Sequence, residues 1–144
     1  MREIIEVIAL VLAGPLAGVE FAVAAFTHPV LGRLPDGAFA QARSDDARVL
    51  GKAMPFWYVA TLVALIAAAV LSGGDWLETT AAALMAIVVL ITVTLMVPIN
   101  NRIGRWVGAA DVSRDEARRW DRLHAVRVAL LFAVFGLLVF QVGG

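Results

Sequence analysis

Cysteine is absent from this 144-residue chain, so no disulfide, no thiolate-ligated metal and no thiol redox relay is open to it. The small four-helix thiol oxidoreductases of membranes are excluded on that count. Charge is scarce as well, at 17% of residues against about a quarter in an average soluble domain. Neither sign prevails: 12 basic and 12 acidic residues cancel, the pI lies near 6.7, and nothing general argues for nucleic acid or anionic substrates. No H-x-x-H or E-x-x-H pair occurs, so no single helix offers two neighbouring metal ligands of those types.

Apolar residues are plentiful, at 61% with a mean hydropathy of +0.85. A chain of this length encloses too small a core to hide them, so the surplus faces lipid. Four windows are long enough to cross a hydrocarbon layer of about 30 Å: Ile4 to Phe26, Pro55 to Leu71, Leu77 to Ile99 and Leu123 to Val142. The fold class expected is all-α, an integral membrane four-helix bundle forming one domain over 1–144, with short surface helices in its longer connections. Glu3 and Glu6 spoil the positive leader of a signal peptide, so the first window counts as a span.

Spans two and three are joined only by Ser72-Gly73-Gly74-Asp75-Trp76, a tight turn that enforces an antiparallel hairpin. Ser113 followed by Glu116 fits a capping box, placing the last helix start near Arg114. The two long connections hold Arg33, Arg43, Arg48, Lys52, Arg102, Arg105, Arg114, Arg118, Arg119 and Arg122, whereas the other side holds only Arg2. Under the positive-inside rule both long connections are cytoplasmic and both termini lie outside an inner, cytoplasmic membrane.

Ionisable groups within spans are costly and normally face the bundle interior with a partner. Glu20, His28, His124 and Arg127 lie toward one end, where Asn100 and Asn101 follow Pro98 and where Thr92 and Thr94 sit further in. Glu116, Trp120, His124, Arg127 and Leu131 share one helical stripe, and Ala13, Ala17, Glu20, Ala24 and His28 share another. Glu20 and His28 are about 12 Å apart along the helix axis, too far to bind one metal unless the helix breaks near Pro29. The pairings expected are Glu20 with Arg127 and His28 with His124. A purely structural ion pair and interfacial histidines remain alternatives.

Gly18-Val19-Glu20-Phe21 through His28-Pro29, then Val97-Pro98-Ile99-Asn100-Asn101-Arg102, then Trp120 through Arg127 as W-x-x-x-H-x-x-R, resemble the anthrone oxygenase-like family of membrane proteins (DUF1772). The resemblance covers nearly the whole chain and implies a membrane-bound oxygenase acting on polycyclic aromatic substrates such as anthrones. The E-F and H-P pairs of span one depart from members with apolar or amide residues there.

Oxidising an anthrone-type carbon begins by removing an acidic C–H proton beside a carbonyl. That step needs a base and a stabiliser for the enolate oxygen. His28 or His124 suits the base, Arg127 with Asn100 or Asn101 suits the oxyanion, Glu20 would orient Arg127 or a histidine, and Trp120 and Thr92 would flank the substrate. A second reading makes His28, His124 and Glu20 ligands of a transition metal, so the cofactor is either none or a His-ligated metal. The partners expected are the lipid bilayer and a lipophilic small molecule, with a homo-oligomer as a further option and no nucleic acid. Two competing classes are a small proton-coupled multidrug exporter, against which the one-sided loop charge argues, and an accessory membrane subunit without chemistry.

Overall fold

A computed structural model describes residues 1–144. It is entirely helical: α1 (Arg2–Leu31), α2 (Asp36–Leu71), α3 (Trp76–Ile103) and α4 (Arg114–Gly143), each long and apolar enough to cross a membrane. A single 3₁₀ turn, Ala109–Asp111, interrupts the connection from α3 to α4. Only about a third of each span's apolar window is buried, and Val11, Phe26, Val59, Val63, Leu90 and Phe140 are among the large side chains left on the outside. That surface is compatible with lipid and not with water.

Alanines at the helix contacts let the backbones approach closely: Ala9, Ala13 and Ala17 on α1, Ala64 and Ala68 on α2, and Ala81 on α3 are all buried. Leu16, Leu65, Met85, Leu131 and Val134 fill the space between them. A separate apolar cluster at the charged end joins Phe39, Met96, Ile99, Ile103, Trp106 and Trp120. The tight turn after α2 uses left-handed glycines, Gly73 and Gly74 at φ 73° and 88°, a conformation side chains rarely adopt. Asp75 then caps α3 by accepting from the Leu77 amide at 2.9 Å.

The sequence reading placed a separate surface helix before a span starting at Pro55. Instead α2 runs unbroken from Asp36 through Pro55, so 33–52 is largely an extension of the span itself. Proline removes the N–H that the Gly51 carbonyl would have received, and the helix tolerates that single loss. At the α4 start the expected cap is present, Ser113 accepting from the Glu116 amide, while the Glu116 side chain pairs with Arg102. Arg114 ties the α1–α2 connection to α4 through Asp36 and the carbonyls of Gly32 and Leu34, its guanidinium 3.7 Å from the Phe39 ring centre. In the α3–α4 connection the Val107 and Gly108 amides both donate to Asp111 and hold its carboxyl below the usual range.

Two prolines shape the helices that carry the site. Pro29 in α1 and Pro98 in α3 each lack an N–H and crowd the carbonyl four residues earlier, at Ala25 and Thr94. Both helices answer with one wide π turn, Val23–Thr27 and Thr92–Met96, whose i−5 hydrogen bonds run from His28 to Val23 and from Val97 to Thr92. Inside a membrane every backbone group needs a partner, and the widened turns let side chains complete the set.

Candidate functional site

Glu20 and Arg127, expected to pair from their depth, do so. Arg127 donates through one terminal nitrogen to Glu20 Oε2 at 2.7 Å. The same nitrogen lies 3.0 Å from His124 Nδ1, and that ring nitrogen is itself 3.0 Å from Glu20 Oε2. The other ring nitrogen faces the Glu20 backbone carbonyl at 2.9 Å, just ahead of the first π turn. A carbonyl only accepts, so Nε2 carries a proton and, in the neutral ring, Nδ1 receives from Arg127. The second terminal nitrogen of Arg127 donates to the Thr92 hydroxyl at 3.3 Å, and that hydroxyl donates to the Val88 carbonyl. Three helices thus converge on one guanidinium. All three ionisable residues are at most 6% exposed.

His28 is not bonded to His124. Its two ring nitrogens each lie 2.9 Å from a carboxylate oxygen, of Asp121 on α4 and of Asp46 on α2. Arg43 donates to the same Asp121 oxygen at 3.0 Å. The reason is topological: the long extensions of α2 and α4 bring carboxylates to the end of α1, and they outcompete a second neutral ring as partners. The histidines still stand close, with ring centres 6.1 Å apart, and Trp120 packs against both, stacked on His124 at 4.8 Å and tilted to His28 at 5.1 Å.

This arrangement bears on the metal reading. His28 has both nitrogens occupied by carboxylates, and His124 and Glu20 bond each other and Arg127, so His28, His124 and Glu20 do not point to a common centre. No group of three or more histidine or carboxylate side chains is disposed to hold an ion.

Beside the Glu20–Arg127 pair lies a cavity of about 200 Å³. Glu20, Tyr58, Thr92, Asn100, Asn101, Trp120 and Arg127 supply its polar lining, and Leu50, Met54, Val89 and Met96 much of its apolar wall. Pro55, Val59, Val93 and Val97 also border it, and all four are exposed on the outer surface of α2 and α3. The cavity therefore opens sideways, between two helices, toward the lipid-facing surface. Neither His28 nor His124 is part of its wall. Asn100 also braces the two helices by donating to the Ala47 carbonyl at 3.0 Å, and it lies 3.1 Å from where a side chain on Gly51 would begin. Asn101 is exposed at the cavity's charged edge.

Several contributors had no part in the sequence reading of the site. Tyr58 is the only tyrosine of the chain, 4% exposed near the start of the second apolar window, with its ring 5.1 Å from the Arg127 guanidinium. A lone phenol inside an apolar window was the available signal. Asp46, Arg43 and Asp121 looked like ordinary loop charge, because their value depends on helices extending past the membrane. Glu78 falls inside the third window yet is wholly buried, at the opposite end of the bundle from the cavity.

Four lipid-facing helices around a buried ionic centre, with a largely apolar cavity opening between two of them, define an integral membrane protein of the four-helix-bundle class. The sequence profile described as anthrone oxygenase matches residues 41–137, more than half of the chain, and the chain belongs to that family. No curated protein and no solved structure matches it.

Proposed function

We propose that the protein oxidises a lipophilic, anthrone-like aromatic with dioxygen, in the cavity beside Glu20 and Arg127. Its membership of the anthrone oxygenase family supports an oxygenase-like activity. The observation that carries the finer reading is a base and a guanidinium held together at the wall of an apolar cavity open toward lipid.

Glu20 lines the cavity and His124 stands behind it, so the carboxylate receives the proton and the imidazole, 3.0 Å away, takes it on. The site accounts for charge throughout. Before reaction Glu20 and Arg127 cancel; after proton transfer the imidazolium balances the enolate. The substrate C–H electron pair goes to dioxygen, and the imidazolium returns its proton by way of Glu20, giving a hydroperoxide at the ring carbon and neutral His124. Loss of water from it, with the second C–H proton, leaves a new carbonyl. Arg127 supplies fixed positive charge to the enolate oxygen in a dry site, where such preorganised charge is most effective. His28, Asp46, Asp121 and Arg43 act at a distance, fixing Trp120 and the helix ends. The orientation that accompanies this reading puts the arginine-rich connections in the cytoplasm and both termini outside.

The test is oxygen uptake and quinone formation from anthrone by the purified protein in nanodiscs. Wild type turns over, and Glu20→Gln and Arg127→Met each lose at least about a hundredfold. Turnover that survives both substitutions removes the reading. A reporter fused after Gly144 is active only on the outer side of the membrane; activity on the inner side reverses the orientation.

A further inference from the structure

The residues that both border the cavity and are exposed form two stripes. On α2 they are Gly51, Pro55 and Val59, and on α3 they are Val93, Val97 and Asn101. Within each trio the spacing is four, so each trio lies along one helix face. The hairpin makes α2 and α3 antiparallel, so both stripes start at the charged end, at Gly51 and Asn101, and run inward to Val59 and Val93. Such a stripe rises about 12 Å, most of one leaflet of a hydrocarbon layer about 30 Å thick. Lys52 and Arg102, each next in sequence to an outer member, set that end at headgroup level. The walls are built of small side chains, and at Gly51 even a Cβ would come within 3.1 Å of the Asn100 amide. Glu20 and Arg127, both buried, line the same cavity from α1 and α4.

We infer that this slot is the entrance by which a flat lipophilic ring passes from the leaflet on the arginine-rich side into the cavity, with Val59 and Val93 at its inner end fixing the width of ring that passes. The inference rests on reading the cavity as the substrate site, and adds to it a route, a leaflet and two specificity-determining residues. Slot and cavity are continuous, since all six residues border the cavity. An acyl chain also fits an apolar slot, but it has nothing to offer the Glu20–Arg127 wall, whereas a ring carrying a carbonyl brings an acceptor for a guanidinium. A charged ligand from water is disfavoured, because Pro55, Val59, Val93 and Val97 replace none of its lost hydration with side-chain hydrogen bonds. Val59 and Val93 are 55% and 60% exposed, so either side chain can be exchanged without disturbing the core.

Because the chain has no cysteine, single introduced thiols report on the slot. Val59→Cys and Val93→Cys are compared, in the full protein in nanodiscs, with Asn101→Cys at the mouth and with Val63→Cys, which is exposed one turn beyond Val59 but does not border the cavity. Neutral benzyl methanethiosulfonate should modify both slot thiols. The charged sulfonatoethyl reagent should modify Asn101→Cys but reach the slot thiols at least about tenfold more slowly, since it cannot shed its hydration there. Saturating anthraquinone, a flat ring with no proton to lose, should slow benzyl modification of both slot thiols several-fold and spare Val63→Cys. A benzyl cap on either slot thiol should lower kcat/KM for anthrone at least about tenfold, a methyl cap far less, with recovery when a reductant removes it. Slot thiols that neither reagent reaches, that the charged reagent modifies as fast as Asn101→Cys, or that anthraquinone does not protect, as when the slot holds only lipid, overturn the inference. Anthraquinone protection in a protein that does not oxidise anthrone sinks the oxygenase reading and leaves the entrance standing. Anthrone oxidation undiminished by both benzyl caps does the reverse.

Discussion

Two glutamates in this bundle are equally hidden, Glu20 at 2% exposure and Glu78 at none, and they are opposites in every other respect. Glu20 shares one oxygen between Arg127 and His124 and borders a cavity. Both oxygens of Glu78 lack a hydrogen-bond donor; its closest cation is Arg2 at 3.8 Å, a half-exposed side chain already bonded to Glu6. Burial alone therefore does not mark a site. The mark is a carboxylate whose partners are fixed on other helices and whose free edge meets empty space. At Glu20 the fold holds a charge in place, whereas at Glu78 it merely encloses one.

The sharpest way to break that contrast is to remove one member of the inner pair. Glu20→Gln leaves the Arg127 cation buried without its counterion, and a loss of about 3–5 kcal/mol is expected in detergent unfolding. Adding Arg127→Met to it should recover part of the loss, because the orphaned charge goes too. Strictly additive losses would show that the two side chains are not energetic partners, whatever their distance.

The histidines extend the comparison from carboxylates to rings. His28 is held by two carboxylates away from the cavity, while His124 bonds the cavity's own glutamate. His124→Ala is expected to reduce anthrone turnover by about 10²–10⁴-fold. His28→Ala should instead lower stability, by about 1–3 kcal/mol for the two charge-assisted bonds it loses, with turnover falling far less. Asp121→Asn should mimic the His28 effect, since the same oxygen serves both His28 and Arg43. Equal turnover losses in the two histidine variants would erase the distinction between clamp and centre.

Much of this architecture was legible in the chain. The spans follow from apolar run length, and the Glu20–Arg127 pairing from their positions toward the same end of their spans, because depth in a bilayer is nearly a one-dimensional coordinate. What helical spacing does not carry is azimuth and reach beyond the membrane. Position along the spans matches His28 to His124, but the α2 and α4 extensions bring Asp46 and Asp121 to the same place. Tyr58 escaped for a related reason: its importance comes from facing Arg127 across the bundle, a relation between α2 and α4 that no local pattern encodes. The π turns were equally hidden, though Pro29 and Pro98 were their cause.

The smallest expected effect lies at the other glutamate. Glu78→Gln keeps the shape of the side chain and replaces a buried carboxyl that makes no hydrogen bond of good geometry, so little is lost with it. The amide also supplies two donors, and Glu6, on the adjacent turn of α1 and already held to Arg2, is an acceptor within the same cluster. Arg2 loses little, being half exposed and 3.8 Å away, a distance at which a solvated pair is worth at most about 1 kcal/mol. Thermal unfolding of Glu78→Gln should thus match wild type within about 0.5–1 kcal/mol or exceed it, with anthrone turnover unchanged because the cavity is at the far end. Unfolding measured beside Glu20→Gln in the same detergent decides the matter. A loss at Glu78→Gln as large as at Glu20→Gln would mean that the outer carboxylate is as firmly partnered as the inner one, and the contrast between two equally buried glutamates would fail.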